Sequence, residues 1–396
     1  MTVIQQVGNR CTGCACCSAV CPTKCIDMKS NNEGFLSPQI NTAKCINCEL
    51  CIKRCPVLNF PTLPAYPQLA YATYSKDEEN ILQSSSGGLF SALSYPILKK
   101  QGVVYGTILN EANEAVIVKA EKNEELIKMR GSKYVQSNLS KEIYNNVKQN
   151  LICGKEVLFT GCPCQVAGIR SFLNKDYPNF HCVDIVCHGV PSPLLFKTYL
   201  QALSKKENSP ITDYKFRNKL RGWGKNFSYN TQNKKHVKTS LLDSYQHNFF
   251  NGNTFRESCY QCPFACKERQ GDITLGDYWG ILQEHPEFYH DKGVSMLLVN
   301  TEKGQAMLDS VKSYLQIIPS TFNKISKHNI NLLKPSFRPA KRDGIYNGIT
   351  TQSANDFISQ KLTISNSLPS LLKAMLPVKF KTFFQKIIRI LKKRGG

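Results

Sequence analysis

Two cysteine-rich stretches decide the N-terminal fold: CTGCACCSAVCP at residues 11–22 and CINCELCIKRCP at residues 45–56. In each, two residues separate the first three cysteines from one another, and three residues separate the third from a Cys-Pro pair. Three thiolates in so tight a loop can converge on one iron–sulfur cubane, whereas the cysteine before proline ligates the other cluster. The spacing therefore predicts two [4Fe–4S] clusters in one small domain.

The repeat also assigns the ligands of each cluster. Cluster one takes Cys11, Cys14, Cys17 and Cys55, and cluster two takes Cys45, Cys48, Cys51 and Cys21. The motifs lie about 34 residues apart, and residues 1–60 resemble a bacterial two-cluster ferredoxin domain. Cys16 and Cys25 fall outside the ligand register, and we expect them to be small buried side chains.

Length and composition limit the number of domains and the class of protein. Its 396 residues exceed the roughly 100–200 of one ordinary domain, which favours two or three domains. Hydrophobic residues make up 41% and charged residues 20%, which excludes a disordered or fibrous chain. No apolar run approaches the roughly 20 residues of a transmembrane helix, and no secretory signal is visible. The 18 cysteines therefore indicate bound metal rather than disulfides, and we expect the protein to be located in the reducing cytoplasm.

A proline-rich run follows the ferredoxin-like unit. Residues 56–68, PVLNFPTLPAYPQ, contain four prolines, and we assign residues 61–69 to a semi-stiff linker. The remainder is expected to divide into residues 70–150, residues 151–335 and a tail of residues 336–396. The chemistry that the two clusters serve is expected beyond this linker.

A loop of small residues at 84–88, SSSGG, opens a helix predicted at about residues 89–100, and a strand is expected at 103–109. Free backbone N–H groups at such a helix start suit a phosphate, and glycine removes Cβ atoms where a ligand comes close. The basic loop RGSKYVQSN follows at 130–138. On composition alone, both loops also fit ordinary turns.

Six further cysteines lie after predicted strands or in Cys-x-x-Cys turns. The segments are EVLFTGCPCQVAGIRSFL from residue 156, HCVDIVCHGVPSP at 181–193 and CYQCPFACKERQGDITLGDYWG at 259–280. They supply Cys162, Cys164, Cys187, Cys259, Cys262 and Cys266. Strand ends at one sheet edge can bring four of these thiolates together, which predicts a third metal centre. A four-thiolate zinc site is the alternative to a third iron–sulfur cluster.

Seven segments carry a family resemblance. In chain order they are SSSGGLFSAL, GSKYVQS, GCPCQVAG, DIVCHGVPSP, FRNKLRGWG, CYQCPFA and GDITLGDYWG. Together they resemble the beta-subunit family of coenzyme F420 hydrogenases and dehydrogenases over roughly residues 70–330. That family includes many bacterial proteins encoded near polysaccharide genes. The resemblance implies an FAD enzyme with one [4Fe–4S] cluster beside the flavin, and it leaves the substrate open.

The resemblance also implies roles for individual residues. Matched motif by motif, the cluster ligands are Cys164, Cys187, Cys259 and Cys262, with Cys162 and Cys266 as spare thiols. The implied flavin contacts are Ser86, Gly87, Gly88, Lys133 and Tyr134. His188 and Lys133 are the catalytic candidates, with His188 as a proton donor, although a local capping role for His188 stays open. Of Asp272 and Asp277, we expect one to be structural and assign catalysis to neither.

The fold class implied is α/β (α+β). It comprises a small two-cluster ferredoxin-like domain, a mixed-sheet flavin-binding core and a basic amphipathic C-terminal helix. A buried strand at 293–300 and an amphipathic helix in TEKGQAMLDSVKSYL at 301–315 fit this core. The chain departs from deazaflavin-reducing subunits by carrying its own ferredoxin unit, which favours electron entry through that unit.

The C-terminal segment contributes +8 of the net charge of +22. Residues 369–396 contain eight lysines and arginines and no acid, and their apolar residues fall on one helical face. Such a helix suits an anionic membrane surface, which predicts peripheral attachment at the inner membrane face. Docking on the protein itself or on a partner is the alternative. Nucleic-acid binding is not expected, because no recognised motif accompanies the charge.

These patterns predict an iron–sulfur flavoprotein oxidoreductase. It would pass electrons between the ferredoxin clusters, a third [4Fe–4S] cluster and FAD, with hydride-type transfer to or from an unidentified substrate. The expected partners are a redox protein or reduced cofactor and a small-molecule or lipid-linked substrate, with a role in polysaccharide or cell-envelope metabolism. The alternative is an electron-transfer subunit of a larger hydrogenase-like or dehydrogenase-like complex, with no substrate of its own.

Overall fold

The computed structural model describes residues 3–364. The amphipathic helix predicted at 369–396 lies outside the described residues, so membrane attachment stays a prediction. Among the helices of residues 3–364, none has the length and hydropathy that crossing a bilayer requires.

The N-terminal unit contains two short helices and a two-stranded antiparallel sheet. Its elements are α1 (Cys16–Val20), β1 (Ile26–Ser30), β2 (Leu36–Ile40) and α2 (Leu50–Lys53). Each helix begins within a cysteine motif, directly after a residue in the left-handed conformation, Ala15 or Glu49. The two halves of this unit therefore repeat in backbone structure as they do in sequence.

An eight-stranded mixed sheet forms the centre of the larger unit. In spatial order its strands, numbered along the chain, are β13 (Leu315–Ser320), β3 (Leu69–Ser75), β12 (Ser295–Val299), β11 (Ile273–Asp277), β7 (Phe180–Ile185), β6 (Val157–Gly161), β4 (Val103–Leu109) and β5 (Ala115–Ala120). The strands β11, β7, β6 and β4 run parallel to one another. The remaining pairings are antiparallel, which confirms the mixed α/β class.

Helices pack around this sheet and begin at residues that suit a helix start. They are α3 (Glu78–Gln83), α4 (Leu89–Lys99), α5 (Asn123–Met129), α6 (Lys141–Ile152), α7 (Pro163–Leu173), α8 (Pro193–Glu207), α9 (Ser244–Phe250), α10 (Ile281–Glu284), α11 (Glu302–Val311), α12 (Phe322–Ser326) and α13 (Ala354–Lys361). Asp77 accepts the N–H groups of Glu79 and Asn80, and prolines open α7 and α8.

A smaller antiparallel sheet packs beside α8. Its order is β10 (Lys235–Thr239), β9 (Asn226–Asn230) and β8 (Thr212–Lys215). Phe196 of α8 contacts Tyr214, Phe216 and Tyr245 at ring-centroid distances of 5.2, 5.0 and 5.2 Å. These buried rings form one core, and they hold α9 and the segment that follows β8 against the central sheet.

Several predicted elements appear at the expected places. The strands predicted at 103–109 and 293–300 are β4 and β12, and the helix predicted at 301–315 is α11, which ends earlier at Val311. Residues 60–68, which include most of the predicted linker, form neither helix nor strand.

Polar contacts seat the N-terminal unit on the larger one. The Tyr144 hydroxyl of α6 donates to the Cys14 carbonyl at 2.6 Å. Arg256 donates to the carbonyls of Cys11 and Leu36 at 2.6 and 2.8 Å. Arg342 makes a bidentate ion pair with Glu33 at 2.9 and 2.6 Å. Three separate elements thus fix the cysteine loops relative to the central sheet.

Candidate functional site

The four cysteines predicted for cluster one line a single small cavity. This inner cysteine cavity is lined by Cys11, Cys14, Cys17 and Cys55, together with apolar side chains such as Ile4, Val7, Met28 and Val57. Cys16 also lines this cavity, but its Sγ donates a hydrogen bond to the Arg54 carbonyl at 3.2 Å. The structure therefore brings together the predicted quartet and leaves Cys16 buried and bonded elsewhere.

The four cysteines predicted for cluster two line a second cavity nearer the surface. This outer cysteine cavity is lined by Cys21, Cys45, Cys48 and Cys51, and also by Cys25. Cys48 is exposed, and the neighbouring Ile46 is 64% exposed. The sulfur atoms of Cys21 and Cys25 are 3.3 Å apart, so Cys25 is a buried neighbour of a predicted ligand.

The donor sets of both cavities fit iron–sulfur clusters. Burial raises the pKa of Cys14 to about 12 and raises the pKa of Cys55 as well. Buried thiols of this kind give up their protons when a metal binds. Within residues 3–364, no group of three or more Cys, His, Asp or Glu side chains is gathered tightly enough for a single metal ion. A cubane requires a wider arrangement, since four cysteines bind a cluster of four irons.

Five of the six downstream cysteines form a second group of thiols, which we call the five-cysteine group. Its members are Cys162, Cys164, Cys187, Cys259 and Cys262. Cys162 follows β6 and Cys187 follows β7, and these parallel neighbours end at the same sheet edge. Burial raises the pKa of Cys164 well above its usual range and that of Cys262 to about 11.

Cys266 does not join this group. It is half-buried, and its Sγ donates to the Glu268 carbonyl at 3.2 Å. Burial raises its pKa, and its charged neighbours are Glu268 and Arg269 rather than another cysteine. Of the two spare thiols, the structure therefore places Cys162 inside the group and Cys266 outside it.

The inner cysteine cavity and the five-cysteine group are direct neighbours. Cys164 lies in the first turn of α7, and Gly168, about one turn further along the same helix, packs against Cys14. Gly168 packs so tightly that an added Cβ would lie 3.4 Å from Cys14 Sγ and 2.6 Å from the Tyr144 hydroxyl. The contact places one predicted ferredoxin ligand beside the proposed third cluster.

A cavity of about 500 Å³, the central cavity, opens on the other side of the five-cysteine group. Cys162 and Cys187 form part of its wall. The predicted flavin and catalytic residues on its wall are Ser86, Gly88, Lys133, Tyr134 and His188. Gly87 is not on this wall; its N–H donates to Ser295 Oγ at 2.8 Å, and an added Cβ would lie 2.7 Å from the Thr73 carbonyl. Close packing against β3 explains this glycine.

One end of the central cavity has the features of a phosphate site. Ser132 donates through its N–H and its hydroxyl to Ser85 Oγ at 2.8 and 3.0 Å, which joins the two predicted loops. Arg130 bonds to Ser91 and Gln83, neither of which carries a charge. The start of α4 at Leu89 faces the same end. These groups fit the phosphates of a dinucleotide such as FAD.

Lys133 is held by its own loop. Its ammonium donates to the carbonyls of Lys128, Met129, Arg130 and Gly131 at 2.9–3.0 Å. An ammonium has three protons, so these acceptors occupy all of them. Burial lowers the pKa of Lys133 to about 7. These contacts make Lys133 a positioning residue for the loop after α5 and do not support the predicted catalytic role.

His188 projects into the central cavity directly after Cys187. Its side chain is exposed on the wall of the central cavity, and partial desolvation there, with the nearby Lys225 cation, lowers its pKa. The His188 carbonyl accepts the Ser336 hydroxyl at 2.6 Å, so its backbone is anchored. The position fits the predicted proton donor, and that role stays a prediction.

Sequence reasoning missed a network that adjoins Ser85, whose carbonyl accepts from Arg217 at 3.5 Å. Arg217 donates to Asp277 at 3.1 Å and to the Tyr134 hydroxyl at 3.2 Å. Trp223 Nε1 donates to Asp277 at 2.9 Å, and its ring stacks on Trp279 at 5.3 Å. The segments FRNKLRGWG and GDYWG contain these residues, but spacing does not show that they meet. Arg217, Asp277 and Trp279 of this network form part of the wall of the central cavity.

Asp272 and Asp277 separate as expected. Asp272 accepts from the Cys182 N–H and the Thr301 hydroxyl, both at 2.8 Å, and pairs with Arg170 at 3.1 Å. It is fully buried, does not lie on the wall of the central cavity, and has a structural role. Asp277 lies on the cavity wall.

Two segments of the chain match known protein families. Residues 10–59 match the family of 4Fe–4S dicluster domains, and residues 154–321 match the family described as the C-terminal part of the beta subunits of coenzyme F420 hydrogenase/dehydrogenase. An uncharacterized polyferredoxin-like protein of Methanocaldococcus jannaschii is 38% identical over 66 residues, which are 15% of this chain and 38% of that protein. The chain thus spans well under half of that curated relative.

A solved structure of the F420-reducing [NiFe] hydrogenase complex from Methanosarcina barkeri is also similar. It shares 18% sequence identity, with a TM-score of 0.44, over 76% of this chain and 91% of that chain. The two family matches confirm the predicted resemblances. Residues 10–59 thus belong to the 4Fe–4S dicluster domains, and residues 154–321 are related to the C-terminal part of the beta subunits of coenzyme F420 hydrogenases and dehydrogenases.

Proposed function

We propose that this iron–sulfur electron-transfer protein is an FAD-dependent oxidoreductase with three [4Fe–4S] clusters. The observation that carries the proposal is the order of its sites. The outer and inner cysteine cavities share the N-terminal unit, Cys14 of the inner cavity neighbours Cys164, and Cys187 of the same five-cysteine group lines the central cavity. Cysteine sites thus follow one another from the surface of the N-terminal unit to the central cavity.

The proposed ligands of the third cluster are Cys164, Cys187, Cys259 and Cys262. Loaded with its clusters and FAD, the chain would carry single electrons, and the flavin would exchange two electrons and one proton with the substrate as a hydride equivalent. The protein's part is to hold these groups in fixed order. Arg256 and Tyr144 do so at the inner cysteine cavity through their bonds to the Cys11 and Cys14 carbonyls.

The central cavity supports FAD as the cofactor. Ser85, Ser132 and Arg130 would bind the phosphates at one end. Tyr134 stacks on Phe249 at 4.3 Å near the five-cysteine group, where an aromatic ring system could lie against it. His188, beside Cys187, would hold the proton that accompanies the electrons.

The volume of about 500 Å³ is within the usual range for a small-molecule or cofactor site. An enzyme also needs a substrate position beside the flavin, and the exposed His188 on the cavity wall indicates where that position would lie. A subunit without a substrate needs only a flavin edge facing its partner. The substrate, a redox partner protein, the link to polysaccharide or cell-envelope metabolism and the inner-membrane location stay predictions.

The first test is the cofactor content of anaerobically purified protein. We expect about twelve iron atoms, twelve sulfides and one FAD per chain. Cys187→Ala should lose about four iron atoms, keep its flavin and no longer pass electrons from the ferredoxin clusters to the flavin. Cys153→Ala, which changes an exposed cysteine after α6, is the matched control. Eight iron atoms without flavin in the wild type would refute the proposal.

A further inference from the structure

The segment after α12 presents large apolar side chains to solvent. Ile330, Leu333 and Phe337 are 46%, 49% and 84% exposed, and Phe337 is the most exposed large apolar side chain of residues 3–364. The Leu333 N–H donates to the Ile330 carbonyl, so these two share one turn, and Phe337 follows four positions later. Lys334 and Lys341 of the same segment are also exposed. We call these five residues the Phe337 surface; exposed apolar groups clustered in this way are typical of an interaction site.

The exposed position of Phe337 is fixed by its neighbours on both sides. The Ser336 hydroxyl donates to the His188 carbonyl at 2.6 Å. Arg338 makes a bidentate ion pair with Glu257 at 2.8 and 2.9 Å. To turn inward, the Phe337 ring would have to break one of these contacts. Its exposure is therefore a feature of the packed structure.

The Phe337 surface adjoins the central cavity. Asn329, directly before Ile330, lines that cavity, and so does His188, to which Ser336 is bonded. On the other side, the Phe337 carbonyl would lie 3.5 Å from a Cβ added at Gly252, two positions after a phenylalanine of the cavity wall. A partner bound to the Phe337 surface would therefore lie beside the part of the cavity that His188 forms.

The charge of the Phe337 surface is positive. The acidic side chains nearby are already paired, Glu284 with Lys327 at 3.3 Å and Glu257 with Arg338 at 2.8 Å. Asp343 also pairs with Arg338. Lys341 bonds to the uncharged carbonyl and hydroxyl of Thr363, both at 3.0 Å. Within residues 3–364 this leaves Lys334 and Lys341 without a carboxylate partner, so the surface fits an anionic partner.

The end of the described chain favours a membrane as that partner. The bonds from Lys341 hold Thr363 at this face, so the basic segment 369–396 is joined to the chain here. That segment carries eight lysines and arginines and no acid, and the repulsion of like charges disfavours its covering the Phe337 surface. An anionic lipid surface attracts both, and it takes up exposed aromatic side chains at the boundary between headgroups and acyl chains.

We propose that the Phe337 surface docks on an anionic membrane surface, with Phe337 inserted among the lipid headgroups and Lys334 and Lys341 at the lipid phosphates. Docking in this orientation brings the His188 side of the central cavity next to the headgroups, within reach of a lipid-linked substrate. The inference goes beyond the proposed function and requires neither a cluster nor a flavin, so the two can fail separately.

The test is co-sedimentation of the full chain with lipid vesicles. Vesicles of phosphatidylglycerol and phosphatidylethanolamine supply the anionic surface, and phosphatidylcholine vesicles supply a neutral one. Phe337→Ser removes the aromatic ring, and Lys334→Ala removes one cation. Ile152→Ser and Lys148→Ala are the matched controls, because both residues are exposed on α6, Ile152 to 59%. Ile152 precedes the start of β6, whereas Cys162 of the cavity wall follows the end of that strand.

We expect the wild type to bind the anionic vesicles more tightly than the neutral ones. Phe337→Ser should lower the partition coefficient about tenfold, because burial of a phenylalanine ring contributes at least that factor. Lys334→Ala should lower it about fivefold, and the two control variants should match the wild type. Absence of wild-type binding, equal binding to neutral vesicles, or equal binding by Phe337→Ser and Ile152→Ser would each overturn the inference.

A second variant, Phe337→Trp, distinguishes the membrane from other occupants. Its added fluorescence is read as the difference from the wild type, whose Trp223 and Trp279 stack on each other. Acrylamide should quench the added indole in the absence of vesicles, and anionic vesicles should protect it. Anionic vesicles with brominated acyl chains should quench it directly. Protection without vesicles would show that the C-terminal segment or a second copy of the chain covers the Phe337 surface, and would overturn the inference.

Discussion

Gly168→Ala probes the contact through which the ferredoxin unit meets the core. Gly168 lies in α7, and its Cα faces Cys14 and Tyr144. An added Cβ would come within 2.6 Å of the Tyr144 hydroxyl, 3.3 Å of Cys14 Cβ and 3.4 Å of Cys14 Sγ. Tyr144 is fully buried, so its ring has no free space into which it can move. The substitution must therefore push the N-terminal unit away from α7.

The expected cost follows from these contacts. Overpacking a buried site costs about 1–3 kcal/mol, and loss of the 2.6 Å bond from Tyr144 to the Cys14 carbonyl adds about 1 kcal/mol. We expect the free energy of unfolding to fall by about 2–4 kcal/mol. Tyr144→Phe removes the hydroxyl that clashes, so the double variant should be more stable than the sum of the single effects by at least about 0.5 kcal/mol.

The assay combines anaerobic urea unfolding, followed by cluster absorbance, with stopped-flow measurement of flavin reduction from the ferredoxin clusters. Both the urea midpoint and the rate of flavin reduction should fall in Gly168→Ala. Gly344→Ala is the matched control, because an added Cβ there has only Asn347 Nδ2 nearby, at 3.9 Å. If Gly168→Ala matches Gly344→Ala in both measurements, the contact does not hold the two units together.

Three outcomes concern the central cavity. Burial lowers the pKa of Lys133 from 10.5 to about 7. Between these pH values the unfolded chain binds more protons at this position than the folded chain does. The free energy of unfolding of the wild type should therefore rise with pH across that window. Lys133→Met should remove that gain in urea unfolding from pH 7 to 10, and an unchanged profile would refute the lowered pKa. Arg130→Met should raise the Kd for FAD roughly 10–100-fold in a fluorescence titration, because a charge-assisted hydrogen bond contributes about 1.5–3 kcal/mol. Lys128→Met, which removes the same charge from α5, should not change this Kd. Asp277→Asn leaves the guanidinium of Arg217, only 3% exposed, without its carboxylate and should cost about 3–5 kcal/mol in urea unfolding; a cost under about 1 kcal/mol would contradict the buried ion pair.

The sequence predicted the elements well where the pattern is local. The strands β4 and β12 and the starts of α4 and α11 follow from apolar periodicity and from the small residues before α4, within a few positions. Gly87 shows where local reasoning was incomplete. Its place in a small-residue loop suggested a cofactor contact. The carbonyl of Thr73 in β3, more than ten residues earlier, leaves no room for a Cβ at this position and explains the glycine.

At the candidate site, too, local spacing predicted some features, whereas contacts between distant residues decided others. Spacing divided the eight ferredoxin cysteines into two sets, and each set lines a cavity of its own. The predicted catalytic role of Lys133 is not supported by its four carbonyl contacts. The Arg217–Asp277 pair was missed, since 60 positions separate the partners and no periodic pattern links them. Such pairs depend on which strands become neighbours in the sheet.

By itself, the sequence determined that two cysteine loops bind clusters, because twelve residues with fixed spacing define the geometry of a metal-binding loop without help from the rest of the chain. It also determined the family resemblance, through seven short segments in order. Only the tertiary structure decided which five of six distant cysteines converge and that Cys14 meets Cys164. The parallel pairing of β6 with β7 brings Cys162 and Cys187 to one edge, and that pairing is a property of the packed sheet and not of either segment.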